Sequence, residues 1–136
     1  MRRLREALGD GVDGERGSSP VEFVLVGGLL TVLTLAVLQL GLAIYVRNVV
    51  HDAAVEGAHY AALADTALPE GSARTREIIT RTVGDSYAGN VSVRESRSLG
   101  HDTVEITVNT TLPLVGLLGV PRALEVTADA PVESLD

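Results

Sequence analysis

Apolar and polar positions alternate differently along three parts of the chain. From Phe23 to Val46 (FVLVGGLLTVLTLAVLQLGLAIYV) the residues are apolar almost without interruption, and between Glu22 and Arg47 the only ionisable side chain is the weakly acidic Tyr45. A helix of this length spans roughly 36 Å at about 1.5 Å per residue, enough to cross a hydrocarbon core of about 30 Å with some tilt. A domain this small could not surround such a helix, so the pattern predicts a membrane span. After Arg47 the apolar pairs Val49/Val50, Ala53/Ala54, Gly57/Ala58 and Ala61/Ala62 recur every four residues, and the span is expected to continue as a helical stalk with a narrow stripe of small residues. Such a stripe lets a neighbour lie close, either the domain's own sheet or another subunit.

Asp65–Gly71 reads as a turn from its proline and glycine, and Ser72–Val83 as a second, amphipathic helix with Ile78, Ile79 and Val83 on one side. Gly84–Asn90 reads as a loop. The period then changes to two: Val91/Val93, Val104/Ile106/Val108 and Leu124/Val126/Ala128 alternate with polar residues, as strands with one buried face do, and Gly100-His101-Asp102 is the expected hairpin link. Leu112–Val120 (LPLVGLLGV) breaks the alternation and reads as a hydrophobic loop, which covers an open edge of the core or meets a partner or the bilayer. The predicted class is α+β: a long N-terminal transmembrane helix continuing into a stalk, a second amphipathic helix, and a small antiparallel sheet of about three strands. The divisions are a leader at 1–17, a transmembrane helix at 18–46, and an α+β domain at 47–136 that includes the stalk.

The start of the span carries its own signals. Ser19 suits an N-cap, Pro20 the first helical position, and Glu22 the third, giving the S-x-x-E capping box. Within the span, Gly27, Gly28 and Gly41 weaken helix propensity, and the Gly27-Gly28 pair either provides a flat spot for a neighbouring helix or has no packing role. Thr31, Thr34 and Gln39 can bond to their own backbone or to a partner helix.

Charge adds orientation. Residues 1–47 hold five arginines and five acids, whereas residues 48–136 hold six arginines and thirteen acids, so the net charge of −7 sits after the span. An acidic domain repels phosphate backbones, and with no Trp and one Phe it lacks stacking platforms, so no nucleic-acid partner is expected. Four arginines (Arg2, Arg3, Arg5, Arg16) precede the span, and after Arg47 none follows until Arg74, which places the N-terminus in the cytoplasm and the C-terminal domain outside. The absence of cysteine means that this domain holds together by packing alone. A cut near Gly17 would leave the apolar helix on the mature protein, unlike secretory signal cleavage; an uncleaved signal anchor bearing an extracytoplasmic binding domain is the alternative.

Catalytic chemistry finds little support. Asp52, Glu56 and His59 share a helical face, with His51 nearby, but a solvated face is far commoner than a metal site, and no second histidine–carboxylate helix completes a coordination shell. No nucleophile, phosphate-loop or zinc-protease motif is present. Neither enzyme activity nor a metal or other cofactor is expected.

Glu22 stands out as a single carboxylate at the lip of a bilayer. The run Gly17-Ser18-Ser19-Pro20-Val21-Glu22-Phe23 resembles the processing site of type IV pilin-like proteins, which a prepilin peptidase cuts on the cytoplasmic side. Together with Tyr45-Val46-Arg47-Asn48 and Asp52-Ala53-Ala54-Val55-Glu56-Gly57-Ala58-His59-Tyr60-Ala61-Ala62, it resembles the TadE-like family of tight-adherence (Flp-type) pseudopilins over about residues 16–64. The family pattern reads "VEF…YVRN…DAAREGARYAA"; Val55 and His59 stand here where arginines are usual. The resemblance implies cleavage after Gly17, which leaves Ser18 as a mature N-terminus open to N-methylation. It also implies pairing of Glu22 with a neighbouring subunit's free amine, helix packing through Glu22, Gly27, Gly28 and Gly41, and a stalk motif of Arg47, Asn48, Asp52, Glu56, Gly57 and Tyr60. The implied partners are a prepilin peptidase, other pilin-like subunits, pilus assembly platform proteins and the membrane. The chain would be a single-pass inner-membrane (cytoplasmic-membrane) protein open to incorporation in a surface pilus.

Overall fold

The computed structural model describes residues 18–113 and 120–134. The leader and the centre of the hydrophobic loop, residues 114–119, lie outside them. Helix α1 spans Ser18–Ala61, and the chain divides into two compact units, one ending at Leu38 and the other beginning at Gln39.

In the first unit every described residue is exposed. The most apolar 18-residue stretch of α1 has a mean hydropathy of 2.4 and none of it is buried. A helix that is apolar all round and has no covering partner fits lipid or other helices, not water. Ser18 is already helical, so Ser19 lies inside the helix and does not cap it. The expected capping box is replaced by a bond one turn long, Ser18 Oγ donating to Glu22 Oε1 at 2.8 Å. Thr31 and Thr34 donate to the carbonyls of Gly27 and Leu30, both at 2.8 Å, and so satisfy their hydroxyls within the helix.

The second unit is an α+β domain. Its sheet is a meander of β1 (Asn90–Ser98), β2 (His101–Leu112) and β3 (Val120–Pro131), antiparallel throughout, in the order β1-β2-β3. Val91 pairs with Val108 and Val108 with Val126; Val93 pairs with Ile106 and Ile106 with Ala128. This register aligns the apolar residues of all three strands on one face, where they form a single core with the C-terminal half of α1 and with α2 (Leu68–Thr82). The reverse face carries Ser92, Thr107 and Thr127 in one cross-strand row and Arg94, Glu105 and Asp129 in the next, with Arg94 ion-paired to Glu105.

The small-residue stripe is claimed by the domain itself: Ala53, Ala54, Gly57, Ala58, Ala61 and Ala62 are all buried. At its centre α1 and α2 come nearly into backbone contact. A Cβ on Gly57 would meet Gly71 O at 2.7 Å, and one on Gly71 would meet Gly57 O at 2.6 Å. Thr75, fully buried beside this contact, donates to Ala53 O (3.2 Å) and Gly71 O (3.0 Å).

Three boundaries differ from the sequence reading. Helix α2 begins at Leu68, not Ser72, because Pro69 occupies its first turn and Gly71 is the close-contact residue of the helix interface. The hairpin turn is Leu99-Gly100, both with positive φ (51° and 86°), and His101 already pairs with Ser98. The hydrophobic segment gives Leu112 to β2 and Val120 to β3, where they face each other across the ladder. Within the expected loop at 84–90, Asp85–Tyr87 forms one 3₁₀ turn.

Candidate functional site

The candidate positions fall into two groups, one in each unit. At the start of α1, Ser18 and Glu22 are joined by the hydroxyl–carboxylate bond, and Phe23 beside them is 79% exposed. Gly17 lies outside the described residues. A Cβ added at Gly27, Gly28 or Gly41 would meet nothing within 4 Å, so none of the three is engaged within the chain. Gln39 behaves unlike the two threonines: its Oε1 is shielded from solvent yet has no hydrogen-bond partner among the described residues. A shielded amide oxygen without a donor is costly.

The stalk positions separate by face. Gly57 is buried in the α1–α2 contact, whereas Arg47, Asn48, Asp52, Glu56 and Tyr60 are exposed. Glu56 accepts from Arg74 of α2 at 3.2 Å, and Arg74 also lies 3.7 Å from Glu77, which pairs with Arg81 at 2.8 Å. Glu56, Tyr60, Glu70 and Arg74 line a shallow groove between the helices. These exposed ion pairs orient side chains more than they stabilise the fold.

The residues weighed for a metal point to different partners. Glu56 engages Arg74, His59 Nδ1 lies 2.9 Å from Val55 O, and His51 Nδ1 lies 3.8 Å from Asp52 Oδ1. Among the described residues no group of three His, Cys, Asp or Glu is placed to hold a metal ion.

A second groove was not visible in the sequence. Arg47, Asn48 and His51 of α1 line it on one side, and Glu125, Val126 and Thr127 of β3 on the other. Only the packing of β3 beside α1 joins residues so far apart in the chain. Arg74 and Arg76 were also unassigned. Arg76 donates to Val91 O at 2.8 Å, occupying a carbonyl on the outer edge of β1 and blunting that edge against strand addition.

Comparison with known proteins places one part of the chain. Residues 17–59 match the family model described as TadE-like protein, in agreement with the resemblance read from the VEF and YVRN elements. The matched stretch begins at the residue before Ser18, contains the whole apolar run and ends within the stalk. The family is a structural, tight-adherence-pilus-associated one, not an enzymatic one. Neither a curated protein nor a solved structure matched the chain.

Proposed function

We propose that this chain is a minor pilin-like structural subunit of a tight-adherence pilus assembly or secretion system. In this reading a prepilin peptidase cleaves it after Gly17, and it assembles through its N-terminal helix. The supporting observation is the helix itself: a continuous apolar surface, fully exposed from Ser18 to Leu38, bearing one carboxylate at its start and matching the TadE-like model over 17–59. Glu22 already accepts from Ser18 Oγ, but a neutral hydroxyl does not cancel a carboxylate charge within a bilayer. A free amine on an adjacent subunit would do so, and would favour one axial register between neighbours. The bare Gly27-Gly28 surface suits the same helix-to-helix role.

The domain beyond Gln39 then faces outward on the far side of the membrane from the leader. Substitution Glu22→Gln tests the assembly step. The variant is expected to enter membranes at the wild-type level but to fall out of the assembled fraction. Normal assembly of Glu22→Gln would reduce the residue to a local helix-end role.

A further inference from the structure

The two edges of the sheet are finished differently. On β1, Arg76 of α2 donates to Val91 O at 2.8 Å and guards the strand. Strand β3 forms the other edge, and among the described residues no backbone group of Val120–Pro131 bonds to anything but β2.

The pairing pattern shows which groups of β3 face outward. Thr103 lies opposite Pro131, and the bond flanking this pair, Val132 N donating to Asp102 O at 3.0 Å, marks it as a pair whose own N–H and C=O groups turn away from each other. Register is unbroken from there to Thr110 opposite Leu124, so the ladder bonds to β2 fall to Leu124, Val126, Ala128 and Ala130. Glu125, Thr127 and Asp129 therefore present their N–H and C=O groups at the open edge, and Pro131, with no N–H, ends the run. The hairpin agrees with this phase. Ser98 and His101 pair across the Leu99-Gly100 turn, which by the same alternation turns Val91 outward on β1, where Arg76 takes its carbonyl.

Glu125, Thr127 and Asp129 are also the exposed side chains of this stretch, on the reverse face of the sheet, while Leu124, Val126, Ala128 and Ala130 are buried in the core. Glu125, Val126 and Thr127 share a groove with Arg47, Asn48 and His51 of α1. Three consecutive strand residues alternate between faces, so the groove runs along the edge of β3.

We propose that this edge takes an added β-strand from a partner protein, one with basic side chains at two positions four residues apart. The residues of such a strand opposite Glu125 and Asp129 share their face, so an arginine or lysine at each makes a cross-strand ion pair. The intervening alternate residues turn toward α1, where Arg47 and His51 favour uncharged side chains. A second copy of β3 is the wrong occupant. Antiparallel pairing centred on Thr127 sets Glu125 against Asp129 on both sides of the centre, and like charges directly opposite repel. The two acids thus exclude a sister edge and admit a basic strand. Strand addition goes beyond the proposed function, involves only the domain beyond Gln39, and does not depend on cleavage or helix assembly.

The probe is an end-blocked peptide, Ser-Val-Arg-Val-Thr-Val-Arg-Val-Ser, added to the full chain in detergent micelles; a control peptide carries Glu in place of both Arg. The sequence reads the same in either direction, so parallel and antiparallel addition both place Arg opposite Glu125 and Asp129. Amide exchange followed by NMR is expected to slow by about tenfold or more at Glu125, Thr127 and Asp129, and to change little at Val126 and Ala128, which already bond to β2. The basic peptide should bind about tenfold more tightly than the acidic one at low salt, with the difference shrinking as salt is added. Thr127→Pro removes an outward N–H and no ladder bond, so it should abolish binding while the Ile106 amide stays protected. Glu125→Arg combined with Asp129→Arg should reverse the preference toward the acidic peptide, a readout that stands even if the proline variant does not fold. Absence of protection at the three outward amides, equal binding of the two peptides, or an unchanged preference in the charge-reversed variant would each overturn the proposal. Protection of those amides without peptide, growing with protein concentration, would give the edge to a second copy and overturn it as well.

Discussion

At the scale of single residues, two positions trade local comfort for something else. Glu22 is a carboxylate in a helix whose next ionisable group is Tyr45, and its one partner among the described residues is the hydroxyl of Ser18. If an ammonium from a neighbouring subunit completes it, Glu22→Gln should lower incorporation into the assembled fraction by about tenfold or more, since an unmatched charge in low dielectric costs several kcal/mol; quantifying assembled against membrane-held protein checks this. Leu99 holds φ 51° in the turn and is 97% exposed, although a turn with two positive φ angles favours Asn or Gly at that place. Leu99→Asn should stabilise the domain by about 1 kcal/mol, read as a raised midpoint in thermal unfolding of the detergent-solubilised chain. Leu99 also shows why the sequence pattern shifts the turn. Gly100 signals the hairpin, but a leucine beside it gives no sign of a left-handed backbone, so the sequence pattern puts the link one residue late.

At the scale of elements, the glycines of α1 do opposite things. Gly57 is where α1 and α2 touch, and even a methyl group there would meet the Gly71 carbonyl at 2.7 Å. Gly57→Ala should therefore destabilise the domain by about 1–3 kcal/mol through overpacking, visible as a lowered unfolding midpoint. Gly27 has open space around it. Gly27→Leu should leave the domain's unfolding midpoint unchanged while reducing assembly, because a large side chain holds a neighbouring helix away; unaltered assembly would remove the glycine pair from the packing role. Alternation of Val104, Ile106 and Val108 made β2 legible, and the four-residue recurrence of small pairs made the stalk legible. The start of α2 was not, because Pro69 and Gly71 carry turn signals that here serve a first helical turn and a close helix contact. The β3 wall of the Arg47 groove was hidden for a different reason: it depends on which strand packs beside the helix, and local periodicity does not encode that.

At the scale of the whole molecule, the chain joins an exposed apolar helix to a small acidic domain built without cysteine. The domain uses the small-residue stripe of α1 for its own core, so the surfaces it leaves exposed are the helix before Gln39, the Asn48–Tyr60 face and the polar face of the sheet. The central claim is that the helix works as an assembly element with a free amine at Ser18 to complement a neighbour's Glu22. N-terminal sequencing of the protein purified from the membranes of its native host tests this most directly. The account predicts a mature chain beginning Ser-Ser-Pro-Val-Glu-Phe; a chain that still begins at Met1 and keeps its arginine-containing leader would contradict it.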